Sequence, residues 1–158
     1  GLLFATLACA NPPAPAVTAT LDPATRAAIA DTVRRESDRM LEVMRTRDAA
    51  EVLALYGKDA AYVGNGAVGD WAAIVAGTPG RYTHYTKVDC RWGEPLRIDV
   101  LSRQSAVVTA LLDCDKADDT GKSWREVVAR TEVLAIEDGR WRIVAVHESE
   151  APGSDPMR

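Results

Sequence analysis

From Gly80 onward the chain takes on a single texture. Residues 82–92, 96–101, 105–115, 123–136 and 141–149 are rich in Val, Ile, Thr and aromatic side chains. Turn chemistry separates them: Gly93-Glu94-Pro95, Ser102-Arg103-Gln104, Asp118-Asp119-Thr120-Gly121 and Asp138-Gly139. Connections this short join antiparallel neighbours, so the second half predicts an antiparallel meander. The first half reads differently. Asp22-Pro23 is a helix start, with a capping carboxylate before a proline at the first helical position. Ile29, Val33, Met40 and Met44 then recur at helical spacing to about Arg47. Asp48 to Glu51 has capping-box spacing and opens a short second helix through Val52, Leu53, Leu55 and Tyr56. Residues 60–63 read as a strand, Asn65-Gly66 as a hairpin turn and Ala67-Val68 as its return. Asp70 caps a third helix, residues 71–76, closed by Gly77 and Pro79. Helices first and sheet last is an α+β arrangement, with the helices packed in a mostly antiparallel sheet. There are no internal repeats.

With 158 residues the chain amounts to about one domain. Hydrophobic residues at 47% and charged residues at 27% suit a folded globular protein. The net charge is −4 and the Lys and Arg residues are scattered, which argues against nucleic acid as a partner. His84 and His147 are the only histidines, so a multi-histidine metal site is excluded. A phosphate-binding glycine loop, a paired-cysteine metal signature and a nucleophile motif are all missing, and no cofactor is implied. Asp113, Asp115, Asp118 and Asp119 flank a turn without a calcium-loop pattern and read as a solvated turn.

Residues 1–21 read as a signal-peptide remnant and a linker. The apolar run from Leu2 to Ala10 breaks into Asn11-Pro12-Pro13-Ala14-Pro15. Two processing routes fit: cleavage after Ala10, or lipidation of Cys9 with the Pro/Ala stretch as a stiff tether. Either makes the protein exported, periplasmic or lipid-anchored. Residues 22–151 form the domain, and 152–158 a loose tail.

The element order resembles the nuclear transport factor 2-like superfamily, in particular its SnoaL-like and ketosteroid-isomerase-like domains. Asp138-Gly139-Arg140-Trp141-Arg142-Ile143-Val144, followed by His147-Glu148-Ser149, looks like the closing turn and last strand of SnoaL-like domains. Residues 48–63 look like the corresponding helix-to-hairpin passage. The resemblance implies a sheet curled around helices into a cone with a pocket, in a group containing isomerases, cyclases, dehydratases and non-catalytic binders. It also implies what this chain lacks. Met40 falls where the isomerases place a tyrosine, and Gly64 where they place a carboxylate base. A methionine cannot hold an enolate oxygen and a glycine cannot move a proton, so that isomerase chemistry is not expected.

Strand parity selects the candidate site residues. An odd-length loop with a glycine bulge at Asp138-Gly139 puts Arg130, Glu132 and Glu148 on one face; a two-residue loop puts His147 there instead. The resemblance favours the first arrangement, with that face turned into the cone. The three charges then form a pocket constellation for a polar or anionic ligand group, or else a cross-strand salt bridge on a wet face. His84 is placed near the pocket mouth as an acid/base, or as a structural or exposed histidine. Tyr62 and Trp71 offer a stacking wall or simply core. Three functions fit: a small-molecule-binding domain, an enzyme of lyase, cyclase or hydrolase type using Glu132, Glu148 or His84, and an interaction module.

Two further expectations concern the sheet. Cys90 and Cys114 lie on neighbouring strands; hairpin counting misses pairing them by about two residues, which the Gly93-Glu94-Pro95 irregularity can absorb to give a disulfide. Strands 105–115 and 141–149 are apolar on both faces, and the three helices cover one face only. A homodimer through the sheet is the expected remedy, with Trp141, Ile143 and Thr109 near its interface.

Overall fold

The computed structural model describes residues 20–64 and 66–150. The signal-peptide remnant, the Ala10 cleavage position, Cys9 and the tail lie outside the described residues. Helix α1 (Pro23–Thr46) begins where Asp22 accepts a hydrogen bond from the Thr25 amide at 2.9 Å. It ends without a glycine: Arg47 takes the left-handed conformation at φ 60° and returns its N–H to Met44. Helix α2 (Ala49–Leu53) is capped by Asp48, which accepts from the Ala50 and Glu51 amides. Each such cap contributes about 1 kcal/mol. Strands β1 (Tyr56–Gly64) and β2 (Ala67–Gly69) form the small hairpin. Tyr56, expected in the second helix, instead opens β1.

Helix α3 (Trp71–His84), capped by Asp70, corrects the expected stop at Ala76. It runs through Gly77, Pro79 and Gly80, because Trp71, Ile74, Thr78 and Tyr82 at three- and four-residue steps form a stripe that packs inward. Burial of that stripe outweighs the local stop signals. The next strand therefore starts at Tyr85, not Tyr82. The remaining strands are β3 (Tyr85–Trp92), β4 (Arg97–Ser102), β5 (Ser105–Asp118), β6 (Ser123–Glu137) and β7 (Arg140–Glu150).

The sheet is curved, unclosed and mixed, with order β2-β1-β7-β6-β5-β3. It departs from a plain meander in two places. Strand β5 is shared, since its first half pairs with β4 and its second half with β3. Strand β1 lies parallel to β7. The shared strand sets Cys90 directly opposite Cys114, and the structure joins them with an S–S distance of 2.08 Å. One face of the sheet closes on α1. Val33, Met40, Leu41 and Val43 pack against Val88, Ala106, Val108, Leu112, Leu134, Ile143 and Val146.

The parity of β7 is resolved by a route the sequence reading did not contain. Asp138 and Gly139 form a two-residue turn, both at positive φ (49° and 74°), with Glu137 opposite Arg140. That turn alone would bring His147 into the cone. The register then slips at Val144, so Leu134 faces Ile143 but Val133 faces Ala145. This extra residue reverses the parity and sets Glu148 opposite Arg130. Ile143 and Trp141 precede the bulge and are set toward the core by the turn itself, so neither belongs at a sheet-to-sheet interface; Thr109 is exposed on the other face.

Candidate functional site

Arg130 sits mid-strand on β6 at 6% exposure, facing inward, with Glu132 two residues along the same face at 1%. A charge this deep is stable only when paired. Arg130 Nε donates to Glu132 Oε1 at 2.5 Å, and Nη1 donates to Glu148 Oε1 in a short contact. Nη2 donates to Tyr56 Oη at 3.0 Å and lies 3.8 Å from the Met40 sulfur. Burial works against the Arg130 charge, but Tyr56, Glu132 and Glu148 outweigh it and hold its pKa well above that of an ordinary arginine. Glu148 Oε2 in turn accepts from Tyr62 Oη at 3.0 Å. The buried, inward arrangement replaces the wet-face salt bridge left open by the sequence.

This cluster is the floor of a cavity of about 360 Å3. Met40, Val128 and Leu112 continue the floor, and Trp71, Ile74, Thr78, Arg81 and Tyr82 from α3 form the opposite wall. All four tyrosines of the chain, Tyr56, Tyr62, Tyr82 and Tyr85, open on it. Two ring pairs form part of the lining: Tyr56 lies tilted against Trp71 at 5.2 Å and Tyr82 meets Tyr85 edge-on at 5.5 Å between centroids. Lys116 on β5 and Glu126 on β6, diagonal to each other in the register, form a second ion pair in the lining. Burial pushes the Tyr56 and Tyr82 hydroxyls up in pKa, and burial followed by the Glu148 charge pushes Tyr62 up to about 12.

Gly64, at the position of the isomerase base, has a different use here. A Cβ there would lie 2.6 Å from the Tyr62 hydroxyl, and one at Gly69 would lie 2.8 Å from the Tyr62 ring. The two glycines leave the space in which that ring lies as it reaches Glu148.

Of the residues singled out from sequence, the structure places Tyr62, Trp71, Arg130 and Glu148 in the cavity lining. Glu132 lies beneath Arg130 instead, and its Oε2 is buried with no hydrogen-bond partner among the described residues. His84 does not line the cavity: its side chain is 68% exposed and Nδ1 lies 2.9 Å from Asp119. It ends α3 pointing away because the helix runs further than expected. Asp113 is likewise not part of a solvated turn. It sits mid-strand at 9% exposure, held by Arg125 and Arg91, and the Arg125 hydrogen bond keeps its carboxyl below the usual range. Sequence reasoning missed Tyr56, Tyr82 and Tyr85; placing Tyr56 in a helix and Tyr82 in a strand hid their shared direction. Among the described residues no group of three His, Cys, Asp or Glu side chains is placed to hold a metal ion, and no helix is long and apolar enough to cross a membrane.

Residues 33–153 match the model of the SnoaL-like domain family, and the chain belongs to that family. Solved structures agree on the fold. A protein from Novosphingobium aromaticivorans provisionally named a scytalone dehydratase is 13% identical, with a TM-score of 0.72 over 81% of this chain and 87% of that one. A nuclear transport factor 2-like superfamily protein from Salmonella enterica serovar Typhimurium is 17% identical, with a TM-score of 0.68 over 84% of this chain and 98% of that one. A type 2 hexachlorocyclohexane dehydrochlorinase is 14% identical, with a TM-score of 0.62 over 82% and 89%. No curated protein sequence matches the chain.

Proposed function

We propose that this SnoaL-like domain binds a small organic molecule in its cone. The observation that carries the reading is the lining: four tyrosines and Trp71 face one cavity of about 360 Å3 over a guanidinium already held by carboxylates. A volume of roughly 300–1,000 Å3 with mostly apolar walls and a few placed polar groups is the usual form of a ligand site. A domain serving only as an interaction module has no use for an ion cluster under an open cavity, since burying those charges is unfavourable. A thermal-shift screen of small organic compounds tests the reading. Compounds that stabilise the native chain should leave an Ile74→Trp variant, whose indole fills the cavity, unmoved. Equal shifts in both proteins would place binding elsewhere.

A second reading is catalytic, of lyase, cyclase or hydrolase type. It is favoured by one pair, Tyr62 Oη and Glu148 Oε2 at 3.0 Å on the cavity wall, which has the geometry to pass a proton to or from a bound molecule. Of the acid/base candidates, Glu148 has the access; Glu132 and His84 do not.

Export belongs to the same proposal, supported by the Leu2–Ala10 run and the Cys90–Cys114 disulfide, a bond that persists in oxidising compartments. So does pairing of two copies through the outer sheet face. Val107, Thr109, Leu111, Val133 and Ala145 stand there, and Leu111 is 45% exposed. Fluorescence of a fusion to the intact leader, read after cell fractionation, tests the first; light scattering tests the second.

A further inference from the structure

The direction of one hydrogen bond assigns the ligand's chemistry. Arg130 is always a donor, so Tyr56 Oη must accept from it at 3.0 Å. The Tyr56 proton is then committed away from the guanidinium, and among the described residues no acceptor receives it. Tyr56 lines the cavity. A phenol whose oxygen already accepts from a cation is a polarised donor, oriented before any ligand arrives. Its neighbour has the opposite sense. Tyr62 gives its proton to Glu148, so its oxygen offers lone pairs only. Tyr82 and Tyr85 carry no such commitment and can turn either way.

We propose, resting on the ligand-binding reading above, that Tyr56 donates to the carbonyl oxygen of a neutral, flat organic ligand whose body lies along the tyrosine and Trp71 wall. The charge under the floor selects against an anion there. Of the other cations in the lining, Lys116 is paired with Glu126 and Arg81 stands on the α3 wall; beside Tyr56, Arg130 already faces the carboxylates of Glu132 and Glu148, so a ligand carboxylate at that point would meet negative groups. A ligand with no acceptor would cover the Tyr56 proton without pairing it, which is unfavourable.

Three probes of one shape separate these cases: 2-acetylnaphthalene, 2-ethylnaphthalene and 2-naphthoate, titrated against the native chain and against Tyr56→Phe and Tyr62→Phe by tryptophan fluorescence. The acetyl compound should bind roughly threefold to tenfold tighter than the ethyl compound, the span of one net hydrogen bond. The naphthoate should bind weakest. Tyr56→Phe should bring the acetyl compound down to the affinity the same variant shows for 2-ethylnaphthalene, with circular dichroism reporting an intact fold. Tyr62→Phe should keep the advantage. The carbonyl stretch of bound 2-acetylnaphthalene should move to lower frequency in the native chain and not in Tyr56→Phe. Binding of all three probes with no carbonyl preference, or a preference that survives Tyr56→Phe, overturns the assignment and leaves the binding cavity standing. Failure of every probe to bind, or binding that Ile74→Trp does not block, overturns both.

Discussion

Arg130 and Glu148 face each other across β6 and β7 because one residue between them, Val144, is out of register. The two-residue Asp138-Gly139 turn sets one parity and the bulge at Val144 reverses it, so the floor of the cavity depends on a defect five residues beyond Gly139. A strand edge that must pair with β6 and with the parallel β1 has a reason for the break. The β1–β7 register shifts over the same stretch, between the pairs Tyr56–Ile143 and Ala61–Ala145.

The cluster is predicted to be intolerant of single changes. Arg130→Met leaves two carboxylates facing each other in the interior and should lower stability by about 3–5 kcal/mol. Replacing all three charges together, as Arg130→Met with Glu132→Leu and Glu148→Leu, should recover most of that loss. Urea unfolding at neutral pH distinguishes the cases. A single variant as stable as the native chain would mean the charges are solvated.

The tyrosine titrations carry a pH signature. Tyr62 is held at about 12 in the fold against a value of 10 when exposed, and Tyr56 and Tyr82 are also raised. A raised acid is stabilising in its neutral form, so the contribution is complete below pH 10 and is lost as pH climbs from 10 through about 12. Tyrosinate absorbance should therefore lag behind free tyrosine and rise together with unfolding. In Gly64→Ala the added methyl displaces the Tyr62 hydroxyl from Glu148. One tyrosine should then ionise earlier than in the native chain.

The acid limb has a separate source. Asp113 is kept below its ordinary value by Arg125, against a smaller opposing effect of burial, and by Arg91. Its stabilisation is present above pH 3.8 and is lost as pH falls through the lowered folded value. Both arginines are half-exposed, so the effect is screened and the loss in Arg125→Ala should be small. Stability measured from pH 6 down to pH 2 should show a shallower acid slope in that variant.

Cys90 and Cys114 close a loop with a separation of 24 residues. Loop-closure entropy for such a loop predicts a loss of about 3 kcal/mol on conversion of both to alanine. Intact mass with and without reductant checks that the bond forms, and paired unfolding curves check its size.

How much of this was legible beforehand differs from element to element. Asp22, Asp48 and Asp70 mark all three helix starts in the sequence, and each makes its capping bond, because a cap is a local device. Helix ends were less legible: Gly77 and Pro79 are strong stop signals, yet α3 passes through them with its half-buried stripe of Trp71, Ile74, Thr78 and Tyr82 facing inward. The candidate set of Tyr62, Trp71, Arg130 and Glu148 was readable from strand parity and the family resemblance together. The Val144 bulge was not, since nothing local in Arg142-Ile143-Val144-Ala145 announces it. Tyr56, the residue on which the ligand assignment turns, was hidden by an element boundary four residues off.

The most direct measurement is a high-resolution crystal structure of protein purified from its own host without added ligand. Density is expected for a flat organic molecule along Trp71 and the tyrosines, with an oxygen within hydrogen-bond distance of Tyr56 Oη and Arg130 still bound to Glu132 and Glu148. A cavity closed by its own side chains, with Tyr56 turned out of the lining, would contradict this.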